Sequence, residues 1–272
     1  MSDVSIVAVG DVAPGVIGTP MKLDSIFSSV KPFLKGDIVF GNLEGVLLNK
    51  NIESTKKVGK NYFSLRLNES NAKLMKDAGF TILNFNNNHC NDYGEIGREN
   101  TKKVLESVGI KCLEDSMTVD SIAFLSFYLH SKDSCVAWSD SIQQLVQKLK
   151  KHSKILIVSI HGGKEGSSLV RDTCEKHLGE YRGNLYEFSH KSIDAGANVV
   201  LCHGPHVVRS VETYKNKIIA HSLGNFCTPF GFKLDDEFGR AIILKICLDD
   251  KGDLKKYDIV EFKQVRNVGI TK

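Results

Sequence analysis

The sequence predicts a layered α/β fold. Three observations carry this prediction. Short apolar runs rich in Val and Ile alternate with segments of helical spacing through most of the chain. The last part strings strands together with little helix between them, which fits two packed sheets as well as one. Several apolar runs also end in Asp, Asn, Glu or His, where a chain seeking only burial would place a neutral turn.

The elements follow in order. Residues 4–9 form a first strand ending at Gly10–Asp11, and a loop with Pro14, Gly15, Gly18 and Pro20 follows. Residues 23–30 have helical spacing. Residues 37–40 form a second strand, ending at Gly41–Asn42, and residues 48–62 are a polar surface loop. Asn68 can cap a helix over about 69–78, with Gly79 as its stop. Residues 80–84 form the third strand. A helix over 98–108 closes at Gly109, and 119–129 alternates well enough for one or two strands. Residues 139–152 are amphipathic, with Ile142, Leu145, Val146 and Leu149 on one side. The strongly apolar strand 155–160 ends at His161. A helix over 185–195 closes at Gly196, and strand 199–201 leads into His203. Strands over 217–223, 239–248 and 257–265 complete a single domain, residues 1–272, without repeats or linkers.

Composition removes several function classes. At 272 residues with 42% hydrophobic and 25% charged residues, the chain is globular. A domain of this size buries about three-quarters of its unfolded surface, so any metal would serve chemistry rather than folding. A net charge of +4 is too mild for a nucleic-acid binder. Lys56, Lys57 and Lys60 read as a solvated loop. The seven cysteines are odd in number, irregularly spaced and without a Cys-x-x-Cys pair, so a disulfide framework is not expected and a reducing compartment fits. The N-terminus shows no leader pattern, and no apolar run approaches the roughly 18 residues of a membrane helix. These features predict a cytoplasmic protein with no membrane segment.

The polar strand ends are the informative feature. Asp11, Asn42 with Glu44, Asn88–His89, His161, and His203 with His206 close five separate apolar runs. In open α/β sheets the carboxyl rim of the strands is where ligands bind. Carboxylate, amide and imidazole together suit a divalent metal rather than a structural cysteine-held zinc. These groups exceed the needs of one tetrahedral ion. Two ions about 3.5–4 Å apart would use them all, an arrangement that serves phosphoryl hydrolysis.

The stretches IVAVGDV, GDIVFGNLEG, NNHCNDYG, VSIHGGKEG and DAGANVVLCHGPHVVRSVETYKNKIIAHSLGNF resemble, in order and spacing, the CapA/PgsA (PGA_cap) family of bacterial capsule and poly-γ-glutamate synthesis proteins. That family resembles a branch of the calcineurin-like metallophosphoesterases. The resemblance covers roughly residues 4–230. It implies a four-layer αββα sandwich with two divalent ions (Mn2+, Fe2+ or Zn2+) held between strand ends. By motif it implies Asp11, Asn42, Glu44, Asn88, His161, His203 and His206 as metal ligands, with Asn42 or Glu44 as the bridge. His89 matches the histidine that protonates the leaving group of a phosphoester attacked by metal-activated hydroxide. The implied substrate is a phosphorylated compound or an anionic polymer, and capsule-synthesis proteins are the candidate partners. A non-hydrolytic role in capsule or poly-γ-glutamate assembly is the competing expectation.

Three departures from the pattern stand out. The opening motif ends in Ala13 where Asp-x-His is usual, the closing motif is His203-Gly-Pro-His206 rather than His-x-His, and the usual anchor is not seen. Around the implied ligands, Asp92 either orients His89 as a second catalytic residue or caps the next helix. Glu44 suits a supporting carboxylate as well as a ligand. Glu165, beside Lys164 on a glycine-rich loop, and Ser222 and Asn225 of HSLGNF either touch substrate or shape turns. Cys202 reads as a buried small residue, and His130, His152, His177, His190 and His221 as structural or solvent-facing.

Overall fold

The computed structural model describes residues 3–17, 25–55, 63–131, 138–229, 233–266 and 268–272. The first sheet runs, in spatial order, Gly269–Thr271 (β18), Leu254–Val265 (β17), Arg240–Leu248 (β16), Val4–Val12 (β1), Ile38–Leu43 (β2), Ile82–Asn84 (β5) and Lys111–Leu113 (β6), with Asn225–Cys227 (β15) pairing the end of β1. The second runs Val211–Tyr214 (β13), Lys217–Ala220 (β14), Val199–His203 (β12), Ile155–His161 (β9), Ile122–Tyr128 (β8) and Ser116–Val119 (β7). Two short pairs lie outside them: Val46–Leu47 (β3) with Arg66–Leu67 (β4), and Lys176–His177 (β10) with Glu180–Tyr181 (β11).

Side-chain alternation shows why the strands look uniformly apolar. Ile6 and Ala8 of β1, Ile38 and Phe40 of β2, and Ile82 of β5 pack with Phe124, Ile157, Leu201 and Ile218 from the second sheet. The intervening residues face outward. Val7, Val9 and Val39 meet Ala72, Met75 and Leu105 from the helices Asn71–Ala78 (α1) and Gly94–Ser107 (α2). Leu156, Val158, Val200 and Ile219 meet Val146, Leu185, Phe188 and Ile193 from Asp140–Lys151 (α3) and Leu185–Asp194 (α4). Both faces of the central strands of both sheets are covered, so period-two polarity is lost from their sequence. The result is a four-layer αββα sandwich, as the resemblance implies.

Some elements differ from the sequence reading. Residues 25–30 form turns rather than a helix, followed by a 3-10 turn at Lys31–Phe33. Pro32 has no N–H to donate to the preceding turn. Residues 23 and 24 and the lysines at 56, 57 and 60 lie outside the described residues. α1 begins at Asn71, and Asn68 Oδ1 instead accepts from Ser70 N at 2.9 Å, an Asx turn leading into the helix. Strands β1 and β2 run on through Asp11 and Asn42, which are therefore strand residues rather than turn residues. Residues 119–129 resolve into the β7–β8 hairpin, with Asp120 in the left-handed region at its turn.

Cys174 is disulfide-bonded, which departs from the expected set of free thiols. Pairing depends on proximity in space, which spacing along the chain does not reveal. Cys90, Cys112, Cys202, Cys227 and Cys247 are free, and the first four of these are buried. Among the described residues no helix is long and apolar enough to cross a membrane.

Candidate metal centre

The inter-sheet face turns polar at one end. Asn42 follows Phe40 on the same face of β2, Asn84 follows Ile82 on β5, and His203 follows Leu201 on β12. His161 continues the line of Ile157 and Ser159 on β9. Register aligns them: Asn42 stands opposite Asn84, and His203 opposite His161. Parity alone would put Gly10, not Asp11, on this face. The register of β1 slips between Ala8 and Asp11, and the bulge brings Asp11 opposite Asn42 and opposite Asn225. A Cβ on Gly10 would lie 1.9 Å from Gly224 O, so only glycine lets the Gly224 turn close on β1. Asp11 N donates to that same Gly224 O at 2.9 Å.

The asparagine run builds a relay behind the carboxylates. Asn84 Nδ2 and Asn87 Nδ2 donate to Asn42 Oδ1 at 2.9 and 3.0 Å. Asn42 Nδ2 donates onward to Asp11 Oδ1 at 2.8 Å and Glu44 Oε2 at 2.5 Å. Ser126 of the second sheet donates to Asn84 Oδ1 at 2.6 Å. Asn87 also donates to Leu43 O at 2.8 Å and accepts from His89 N at 2.9 Å. Asn42 thus spends its carbonyl on two amides and its amide on two carboxylates. In this arrangement it ties Asp11 to Glu44, a different task from the ligand role implied for it.

His89 sits on the far side of Glu44. Its Nδ1 donates to Asp92 Oδ2 at 2.7 Å, and its Nε2 stands 3.7 Å from Glu44 Oε1. Asp92 Oδ2 also accepts from Leu65 N at 2.7 Å. The residue at the start of α2 is Tyr93, with no side-chain cap, so Asp92 orients His89 rather than capping the helix. His206 lies opposite, in the left-handed region at φ 59°, with Nδ1 2.8 Å from Asp11 Oδ2 and 3.1 Å from Asn225 Oδ1. His203 Nδ1 is 3.6 Å from Asp11 Oδ1, and His161 Nδ1 is 3.9 Å from Glu44 Oε2.

Burial sets the charges. It pushes the Asp11 carboxyl up, but the facing imidazoles of His203 and His206 outweigh it and hold the group well below the usual carboxylate range. Burial, reinforced by the Asp11 charge, pushes Glu44 up to about 8. Burial lowers His206, yet its hydrogen bond and attraction to Asp11 carry it up to about 9. Burial and the nearby Arg182 charge hold His161 well below its ordinary value, in the neutral form a metal requires.

The donor set fits a divalent metal. Glu44 Oε1, Asn88 Oδ1 and both ring nitrogens of His161 and His203 are buried without a hydrogen bond. Orphaned polar atoms of this kind are rare in folded proteins and costly, and hard oxygens beside imidazole nitrogens are what such an ion takes. Among the described residues no three His, Cys, Asp or Glu stand together as a formed metal cluster.

The remaining expected site residues divide. Asn225 is beside Asp11, with Nδ2 buried and unpaired. Ser222 Oγ accepts from Gly224 N at 3.1 Å, a bond within the turn. Glu165 faces His177 Nε2 at 3.3 Å and Arg182 Nη2 at 3.4 Å. Cys202 is buried and contacts Ser189, as expected of a core thiol. His190 and His221 share Glu212, at 2.9 and 2.8 Å, away from the centre. The asparagine run of NFNNNHCNDYG reads as one wall of a site, and the structure gives Asn84 and Asn87 a specific task in it, with the two-residue step from Ile82 to Asn84 as the local signal. Buried Arg182, near the loop after His161, is not among the residues that the sequence singles out.

Residues 5–113 and 125–229 match the bacterial capsule synthesis protein PGA_cap family. The chain belongs to this family. Two relatives are each 30% identical over 77% of the chain: the capsule biosynthesis protein CapA of Bacillus anthracis and the PGA biosynthesis protein CapA of Bacillus subtilis. The chain spans 55% and 58% of their lengths. A 5'-nucleotidase precursor from Thermus thermophilus shares the fold, with a TM-score of 0.50 at 11% identity, over 96% of this chain and 54% of that one. The CapA-like chain thus shares the sandwich fold of that nucleotidase, a fold of the metallophosphoesterase type.

Proposed function

We propose that this CapA-family chain is a divalent-metal-dependent phosphoester hydrolase serving capsule or poly-γ-glutamate synthesis. The observation that carries the reading is the His89–Asp92 pair, whose Nε2 edge lies 3.7 Å from Glu44 Oε1, beside the buried unpaired ligand atoms of Glu44, His161 and His203. Asp11, Glu44, Asn88, His161, His203 and His206 would hold the metal, whether manganese, iron or zinc. When bound, such ions supply the positive charge that neutralises phosphoryl oxygens and favours the ionisation of water.

The chain's own residues supply the rest. Asp92 takes the Nδ1 proton of His89 in a hydrogen bond and fixes the ring, so that Nε2 presents the proton that passes to the leaving alkoxide oxygen. Asn42 holds the Asp11 and Glu44 carboxylates at a fixed separation, and Asn84 and Asn87 hold Asn42. The buried walls formed by Phe40, Phe124 and Leu201 keep bulk water from the inner side. Hydrolysis of a generic aryl phosphate with added manganese tests this reading. His89→Ala should lower turnover by about 10²- to 10⁴-fold while metal stays bound. Undiminished activity in that variant at full metal occupancy would sink the assignment.

Ala13 favours a second reading. It stands where an imidazole is usual, is fully buried, and its N–H donates to Cys227 O at 2.7 Å, so no side chain reaches the centre from there. A chain deprived of that ligand would hold an anionic polymer or a capsule-synthesis partner without cleaving phosphoester. Fewer than two metal equivalents, with no aryl phosphatase activity, is the outcome that reading requires.

A further inference from the structure

Two buried arginines flank the loop that follows His161, and they are spent differently. Arg209 is closely matched: Nη1 and Nη2 donate to Glu175 Oε1 and Oε2 at 2.8 and 2.7 Å, Nη2 also donates to Lys164 O at 3.2 Å, and Nε donates to Ser167 O at 2.8 Å. That bidentate fork is how a structural guanidinium is normally buried. Arg182 is only 3% exposed but is matched far more loosely. Its Nε reaches Gly163 O at 3.4 Å. Its Nη2 lies 3.4 Å from Glu165 Oε1 and, although buried, completes no hydrogen bond.

The backbone of Arg182 is fixed firmly, in contrast to its side chain. Arg182 N donates to Glu175 O at 2.9 Å, and Gly163 N donates to Arg182 O at 2.7 Å. A Cβ on Gly162, the residue after His161, would meet Arg182 O at 2.6 Å, so glycine there lets Arg182 close on the end of β9. Its charge reaches both Glu44 and His161. A guanidinium has five donors, and holding one buried and unused costs stability unless a ligand takes it.

We propose that Arg182 is a substrate-binding residue whose guanidinium takes an oxygen of a tetrahedral phosphate group presented at the metal centre, with Glu165 as the residue that positions it. This rests on the phosphoester reading above. It assigns Glu165 a role through Arg182, since an acidic side chain would repel the phosphate it was expected to touch. Phosphate is the class that the phosphoester reading brings to the centre, and a guanidinium N–H makes a charge-assisted hydrogen bond to its oxygens.

The test is calorimetric titration of inorganic phosphate into the full chain preloaded with manganese, run beside aryl phosphate hydrolysis. Arg182→Gln should weaken phosphate binding roughly 10- to 100-fold, as expected for a lost charge-assisted hydrogen bond, and should raise KM more than it lowers kcat. Manganese stoichiometry should not change. Arg182→Lys, which keeps the charge and loses the fork, should fall between wild type and Arg182→Gln, and Glu165→Gln should weaken binding less than either. Phosphate affinity within about twofold of wild type in Arg182→Gln overturns the inference, on the scale where a single such contact matters. If Arg182→Gln shows no cooperative melt, unchanged affinity in both Arg182→Lys and Glu165→Gln overturns it instead. A wild-type chain that binds no phosphate overturns it as well. Arg182-dependent phosphate binding without any hydrolysis supports this inference and removes the hydrolase reading.

Discussion

Asn42 joins Asp11 to Glu44, donating one amide group to both carboxylates at 2.8 and 2.5 Å while its carbonyl receives Asn84 and Asn87. The pairing holds two fully buried acidic groups through one shared amide. Glu44 is driven toward protonation there by burial and by the charge of Asp11, whereas Asp11 is held ionised by His203 and His206.

Replacement of the amide tests that role. Asn42→Asp keeps an acceptor for Asn84 and Asn87 but sets a third carboxylate against Asp11 and Glu44. The variant in chelator should lose on the order of 2 kcal/mol of stability, from like-charge crowding and lost donors. Added manganese should raise its melting temperature more than it raises that of wild type. Thermal melts with chelator and with manganese decide the matter, and equal shifts in the two proteins would count against the relay.

His89 and Asp92 should separate in kinetics. His89→Ala removes the group that transfers the proton and should lower kcat by about 10²- to 10⁴-fold. Asp92→Asn leaves the ring in place but loosens its orientation, and should cost about 10- to 100-fold. Metal content should match wild type in both. Steady-state kinetics with elemental analysis would show whether Asp92 acts through His89, because in the His89→Ala background its substitution should add little.

The close approach of turns to strands makes a stability prediction. Gly10→Ala would place a methyl group 1.9 Å from Gly224 O, and Gly204→Ala one 2.4 Å from Gly162 O at a φ of +110°. Neither neighbour is a flexible side chain, so backbone must move. Each variant should lose at least about 3 kcal/mol, read by urea denaturation. Gly179→Ala, with nothing within 4 Å, keeps the positive φ and serves as the control for backbone strain alone. It should cost about 1 kcal/mol.

The His221–Glu212 pair sets a pH dependence. Burial lowers His221 below its ordinary value despite its bond to Glu212. The unfolded chain therefore takes up this proton first as pH falls below about 6.5, and folded stability declines with it. Glu212 is pushed up by burial, but the hydrogen bonds from His221 and His190 outweigh this and lower it overall. Its contribution is present above the unfolded carboxylate value and is lost as pH falls through the folded one. Both effects make acid destabilising, His221 in the higher window. His221→Gln keeps a donor to Glu212 and removes that titration. It should flatten the stability profile between about pH 6.5 and 5 by up to one proton, or about 1.4 kcal/mol per pH unit, in denaturation with chelator present. An unchanged slope would count against the assignment.

Much of the fold could be read because strands buried on both faces appear as apolar runs and helices as periodic ones. Runs such as ILIVSI, the amphipathic 139–152 and the glycines after three helices placed most of the framework. Short strands such as β3, β4, β15 and β18 were not legible, since two or three residues carry no period. Residues 25–30 have helical spacing but form turns, since spacing alone does not supply the donor missing at Pro32.

By itself the sequence determined the chemistry available and the strand ends that carry it: Asp11, Glu44, Asn88, His89, His161, His203 and His206. The amino-acid types and their position after apolar runs are local properties, and local properties survive in one dimension. Only the tertiary structure decided how those groups are used. The bulge that turns Asp11 inward, the amide relay through Asn42 and the loosely held Arg182, whose carbonyl closes on Gly163 just past His161, all depend on segments brought together from distant parts of the chain. Those contacts arise from register and packing between two sheets, which no single stretch of sequence encodes.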